Sequence, residues 1–169
     1  MTSKIVLETK RLLLRHFTIE DADNLAIIYA DSETMKFLRG TRSYQETLEN
    51  LDWIFKSYQK YGFGLWAVMH KNDNKLIGRC GLIAQNIEGI REVEIAYMLS
   101  KDYWRGGIAT EAACAIRDYG FNVIGCQRLI SLIDPDNIAS QKVALKTGLN
   151  YEKDIILNDK PVFVYTIYF

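Results

Sequence analysis

Between Glu92 and Ile133 the chain reads strand, glycine pair, helix, strand, and no other segment limits its fold as strongly. "EVEIAYMLS" (Glu92–Ser100) has a strand-like pattern and runs into the loop "KDYWRGG". From Ile108 onward the period changes, with Ile108, Ala112, Ala115, Ile116 and Tyr119 on one helical stripe. "RLISLI" (Arg128–Ile133) is again a short strand and ends in the turn "DPDN". A β-α-β unit of this kind belongs in a layered domain built around a sheet.

The segments before it pair differently. "KRLLLRHF" alternates, with Leu12 and Leu14 opposing Arg11, Leu13 and Arg15, and is expected to be the first strand. "TIEDADNLAIIYAD" supplies Thr18 as an N-cap, acidic residues in the first turn, and Leu25, Ile28 and Tyr29 at helical spacing. A second helix is expected over 45–60, with Leu48, Leu51, Ile54, Phe55 and Tyr58 inward. "FGLWAVMH" and "KLIGRCGLIAQN", joined by "KNDN", predict an antiparallel hairpin. After the β-α-β unit, "IASQKVALKTG" predicts a helix closed by Gly148 at C′. "VFVYTIYF" is apolar on both faces, as in a strand covered on both sides. The order is β-α-α-β-β-β-α-β-α-β, with room for one more strand at Tyr151 to Leu157. This predicts an α+β (mixed α/β) class around one sheet and a single domain over 1–169.

Lys+Arg and Asp+Glu both number 21, so the net charge is zero and a general nucleic-acid binder held by a basic surface is not expected. No apolar run approaches the roughly 18 residues of a membrane span, and the charged start "MTSKIVLETKRLLLRHF" has no signal-peptide apolar region. The cysteines, Cys80, Cys114 and Cys126, are widely spaced and lack CxxC pairing. That pattern fits reduced thiols in a cytoplasmic protein better than disulfides or a metal site.

Glycine is a poor helix former, so Gly106 and Gly107 just before a helix need a reason. They either permit positive φ in a tight turn, or clear side chains from helix N-terminal amides that surround an anion, with Arg105 adding a charge. The local pattern supports both. It contains neither GxxxxGK[ST] nor GxGxxG, and a P-loop nucleotide hydrolase would also need Mg²⁺ ligands that are not evident.

Over nearly everything from Leu7 onward the chain resembles the GNAT superfamily of acyl-CoA N-acyltransferases, in the branch like the ribosomal-protein N-terminal acetyltransferases. "LETKRLLLRHFTIEDADNL" resembles that branch's opening strand and helix, and "EIAYML", "YWRGGIATEA" and "DPDNIASQKVALKTGL" resemble its cofactor-binding core. The family pattern Gln/Arg-x-x-Gly-x-Gly/Ala falls on Trp104, Arg105, Gly106, Gly107, Ile108 and Ala109, with Trp104 in place of Gln or Arg. The resemblance implies a twisted mixed sheet with helices on both faces and a splayed strand pair that admits acetyl-CoA. It implies pyrophosphate binding on the amides of Arg105, Gly106, Gly107, Ile108, Ala109 and Thr110. It also implies main-chain contacts of Met98 and Leu99 along the pantetheine, with an oxyanion donor near Met98.

For the chemistry, the resemblance implies that Asn137 touches the pantetheine or the amine and that Ser140 lies near the sulfur. Local rules explain "DPDNIAS" equally as a turn and helix cap. The tyrosine that many members carry seven residues after the asparagine is Ala144 here, so the usual general acid is missing. Glu94 is the first candidate for a base acting through water, against a reading as a strand carboxylate paired with an arginine; Glu152 ranks behind it. The expected activity is acetyl transfer from acetyl-CoA to a primary amine, in a ternary complex and without a metal. The acceptor is a protein N-terminus or a small molecule; a homodimer stays open. The alternative is a non-catalytic acyl-CoA-binding regulatory module.

Overall fold

The computed structural model describes residues 3–169. Eight strands form one sheet: β1 (Ile5–Glu8), β2 (Leu12–Arg15), β3 (Leu65–His70), β4 (Lys75–Ile87), β5 (Ile90–Leu99), β6 (Arg128–Ile133), β7 (Asn150–Leu157) and β8 (Lys160–Tyr168). Across the sheet the order is β1-β2-β3-β4-β5-β6-β8-β7. Neighbours run antiparallel except β5 and β6, which are parallel and joined through the helix between them. This is the mixed α/β architecture expected from the sequence.

Four helices cover the two faces: α1 (Ala22–Tyr29), α2 (Tyr44–Tyr61), α3 (Ile108–Tyr119) and α4 (Ile138–Lys146). One core gathers Ile108, Ala112 and Ile116 of α3 and Ala144 of α4 against Leu12, Leu14, Val68, Leu82 and Ile95. On the other side, Leu25 and Ile28 of α1 and Leu51 and Ile54 of α2 pack with Leu65, Ala67 and Met98. The two cores follow from the period-2 alternation of the strands. α2 starts at a capping box in which Ser43 Oγ accepts from the Glu46 amide and Glu46 accepts from the Ser43 amide. α4 ends as expected, with Gly148 at φ +94° and the Leu149 amide donating to the Ala144 carbonyl.

Two strands differ from the expectation at the amino-terminal end. The single strand predicted over 10–17 is a hairpin of β1 and β2, tightened where the Thr9 amide donates to the Leu12 carbonyl. That turn is held from α3: Glu111 accepts from the Thr9 hydroxyl and the Arg11 amide, and local alternation contains no trace of a contact so distant in sequence. At the other end, β7 fills the space left at Tyr151 to Leu157. It turns into β8 through Asn158 and Asp159, both at positive φ as a two-residue hairpin turn requires. β8 therefore lies between β6 and β7, which accounts for its apolar character.

β3 and β4 approach closely at Gly81, where an added Cβ would lie 2.1 Å from the Gly64 carbonyl oxygen. Backbone cannot yield as a side chain does, so Gly81→Ala must part the strands. Chemical denaturation should show a loss of at least the ~1–3 kcal/mol typical of overpacking.

Candidate active site

The β5–α3 loop has the conformation of an anion cradle. Arg105 and Gly107 stand at φ +66° and +74° on either side of Gly106, an alternation of hand that turns successive amides toward one side. The first hydrogen bond of α3 runs from the Glu111 amide to the Gly107 carbonyl, so the amides of Ile108, Ala109 and Thr110 precede it without helical partners. Residues 104–107 are exposed and Ile108 is buried, which anchors the loop while leaving its backbone open.

Arg11 adds a charge to this loop that the sequence reading did not assign. Its Nη1 donates to the Gly106 carbonyl at 2.7 Å, and its Nε donates to Glu111 at 2.6 Å. Burial alone would push the Glu111 carboxyl up, but hydrogen bonds from Thr9 and Arg11 outweigh it and hold the group below its ordinary range. Arg11 lies within the opening motif and Glu111 within "RGGIATEA", so both were in view as residues; their meeting was not.

β5 and β6 part almost as soon as they meet. Glu94 opposite Ile130 is the one pair in register, and beyond it Ile95–Leu99 and Ser131–Ile133 diverge. Ser131 marks the fork: its buried hydroxyl donates to the Ile95 carbonyl at 2.8 Å, taking an acceptor that a continued ladder would have used. Because main-chain direction alternates along a strand, the groups of Tyr97, like those of Ile95, face the gap, while those of Met98 face β4. The Leu99 carbonyl already accepts from the Trp104 indole at 2.9 Å. By this alternation Met98 is turned away from the fork, while both main-chain groups of Tyr97 and the amide of Leu99 face it.

Glu94 sits at the fork on the face covered by α1 and α2, 8% exposed. Its carboxylate accepts from the Gln85 amide at 2.7 Å and has no arginine against it. Burial pushes it up to about 7, although the Gln85 side chain, the Leu132 amide and the charge of Arg79 all favour the ionised form. A carboxyl so placed exchanges a proton near neutrality. Glu152, by contrast, is bound to Arg128 at 2.7 Å at the far end of β6 and is held low by that partner. It has no position at the fork.

Asn137 and Ser140 lie on the α3/α4 side. The Asn137 side chain is the N-cap of α4, accepting from the Ser140 amide at 3.1 Å. Ser140 meets a residue the sequence reading passed over: its Oγ donates to the Tyr97 hydroxyl at 3.2 Å, and the Tyr97 hydroxyl donates to the Ser140 carbonyl at 2.8 Å. Tyr97 thus reaches from β5 across the fork to the first turn of α4, and burial raises its pKa. Ala144, where the family's tyrosine would stand, is buried in the core. The signal for Tyr97 was its place in "EIAYML", but the partner lies on another element, out of reach of local pattern.

Residues 11–150 match the family model described as an acetyltransferase (GNAT) domain. Among relatives, the chain is 36% identical over 168 residues to an uncharacterized protein of Bacillus subtilis, YkkB, covering 98% of this chain and 96% of that one. The fold is similar to a GNAT-family acetyltransferase from Bacillus anthracis, with a TM-score of 0.79, 25% identity, and coverage of 96% of this chain and 97% of that one. It is also similar to RimL, a ribosomal L7/L12 α-N-protein acetyltransferase in complex with coenzyme A, with a TM-score of 0.80, 18% identity and 98% of both chains covered.

Proposed function

The chain belongs to the GNAT acetyltransferase family, and on that premise we propose that it moves the acetyl group of acetyl-CoA directly to a primary amine at the β5–β6 fork. The family makes it an acetyl-CoA-dependent acyltransferase; what is proposed is the division of labour among its residues and the nature of the acceptor. The observation that carries the reading is the placement of Glu94 on one face of the fork and the Tyr97–Ser140 pair on the other. A base and a proton donor on opposite sides of a gap in a sheet suit an amine arriving from one side and a thiolate leaving on the other.

In this reading the amides of residues 105–110 and the Arg11 guanidinium hold the pyrophosphate, and Asn137 fixes the start of α4 beside the pantetheine. Acetyl-CoA supplies the activated thioester. Glu94, ionised, takes a proton from the incoming ammonium directly or through a water, since only the neutral amine attacks. As the C–N bond forms, the Tyr97 amide, facing the gap, is placed to stabilise the carbonyl oxygen. The C–S bond then breaks, and the thiolate takes a proton from the Tyr97–Ser140 hydroxyl pair. The second proton lost by the acylated nitrogen returns through water to that pair, and the proton held by Glu94 passes to solvent, leaving amide, free thiol and one released proton. Both a protein N-terminus and a small molecule fit as acceptor.

The test is release of free thiol from acetyl-CoA on addition of amines, with the acetylated product identified by mass. Thiol release that does not depend on the amine would sink direct transfer. Tyr97→Phe keeps the ring and removes the hydroxyl, and should lower kcat by about 10² or more, the range for a lost proton donor, with KM for acetyl-CoA little changed. Ser140→Ala should act in the same direction and less strongly, because Tyr97 retains the Ser140 carbonyl as a partner.

A further inference from the structure

The sheet face that carries Glu94 also carries two guanidiniums without carboxylate partners. Among the described residues Arg11, Arg15, Arg117 and Arg128 each bind a carboxylate. Arg39, Arg42, Arg79, Arg91 and Arg105 do not, and of these five Arg39, Arg91 and Arg105 are exposed while Arg42 is half-buried and Arg79 buried. Arg79 lies on β4 opposite Met98 and shares the face of Glu94 by alternation. It is 9% exposed, and its side-chain hydrogen bond is a single long one, Nη1 to Asn50 Oδ1 at 3.3 Å. Arg42, on the segment before α2, lies over the same aromatic ring as Arg79: their Cζ atoms are 4.9 and 5.2 Å from the centre of Tyr29. Tyr29 is fully buried and fixed by its hydroxyl on Asn50 and by its carbonyl, which accepts from the Arg42 amide.

The ring contacts account for part of this arrangement, since a guanidinium over an aromatic face is favourable. They leave the in-plane N–H donors of both arginines largely unused, and a buried guanidinium without an anion is costly. Burial, and then the charges of Arg79 and Arg39, lower the Arg42 pKa, more than the opposing Tyr29 and Glu46 raise it. A surface cavity opens at Arg42 and Asn50, lined also by Arg39, Thr41, Glu46 and Glu49. The two glutamates are exposed and engaged along α2, Glu46 with the Ser43 amide and Glu49 with the Gln45 side chain. Arg42 lines this cavity with them, and Arg79 lies behind Asn50, to which it donates.

We propose that Arg42 and Arg79, set around Tyr29, form an anion subsite that receives a carboxylate or phosphate carried by the acceptor amine. The proposal rests on acetyl transfer at the fork and narrows the acceptor to amines with a negatively charged group elsewhere in the molecule. Arg79 stands four positions along β4 from Ile83, the residue opposite Glu94, so its Cα is about 14 Å along the strand from the proposed base. The anion therefore sits several bonds from the reacting nitrogen. A polyamine would place a second positive charge against the arginines and is disfavoured.

A matched series tests this: aminohexanoate, aminohexyl phosphate, hexylamine and diaminohexane, which differ only at the far end. One or both anionic amines should exceed the other two in kcat/KM by about tenfold or more, the scale of a charge-assisted contact, and mostly through KM. The stronger of the two identifies the anion. In Arg42→Gln, a partly exposed and therefore well-tolerated position, that ratio should fall toward one; Arg79→Gln should do the same. Calorimetry gives a readout without turnover: with coenzyme A saturating the loop, malonate should bind the parent and not Arg42→Gln. Equal rates across the series with no malonate binding would overturn the subsite while leaving acetyl transfer intact. Malonate binding lost in Arg42→Gln, with no amine acetylated, would uphold the subsite and reject the transfer reading.

Discussion

Glu94→Gln is expected to lower kcat/KM by about 10² or more, the range for loss of a general base, and to remove a limb of the pH profile. In the parent the rate should rise with pH through the titration of Glu94 at about 7, because the ionised carboxylate accepts the proton. The glutamine variant should lack that limb and keep only the rise set by the acceptor amine. Stability should move the opposite way. The folded-state pKa is raised from 4.5 to about 7, so ionising this buried group costs the folded protein progressively more as pH climbs between those values. Above 7 the cost is complete, ~3 kcal/mol for a rise of that size. Glu94→Gln should therefore unfold at a higher denaturant concentration than the parent at pH 8 and at nearly the same one at pH 4. A persistent limb near 7 in the variant would assign the base elsewhere.

Gly107→Val is expected to weaken acetyl-CoA binding by well over tenfold. At φ +74° a residue with a Cβ is strained by about 1–2 kcal/mol, and a β-branched one by more. The new Cβ itself would meet Arg11 Nη2 at 3.7 Å, an ordinary contact, so the backbone strain and the bulk added beside the loop amides carry the effect. Rotation of the loop to relieve the strain turns the amides at the start of α3 away from a common point. Arg105→Ala should be milder, since that side chain is exposed and screened, and alanine carries the same Cβ as arginine at φ +66°, so the backbone strain of the loop is not increased. Calorimetric titration with acetyl-CoA separates the outcomes. Parent-like affinity in Gly107→Val would mean that the pyrophosphate is held elsewhere.

The elements of this protein were mostly legible in the sequence because they rest on short-range rules. Alternation marks β2, β3 and β4, helical stripes mark α2 and α3, and Gly148 closes α4 through a backbone geometry that a glycine adopts without strain. The turn of the β5–α3 loop was legible for the same reason, as loop, glycines and helix start are contiguous. The fork was legible only through resemblance, since the bond that marks it joins Ser131 to Ile95, residues whose own patterns are those of ordinary strands.

What the sequence by itself determined is therefore the list of parts: a mixed α/β class, a glycine turn at the head of α3, and a carboxylate on β5. Which side chains act together was decided by tertiary structure. Tyr97 meets Ser140 across the fork, Arg11 meets Glu111 and Gly106 at the loop, and Arg42 and Arg79 meet over Tyr29. Glu94 is an ordinary acid as a letter in the chain and a group titrating near 7 only once α1, α2 and β6 have removed it from water. The physical reason is that hydrogen bonds, burial and charge act over a few ångströms in space, and the sheet brings within that distance residues that the chain holds tens of positions apart.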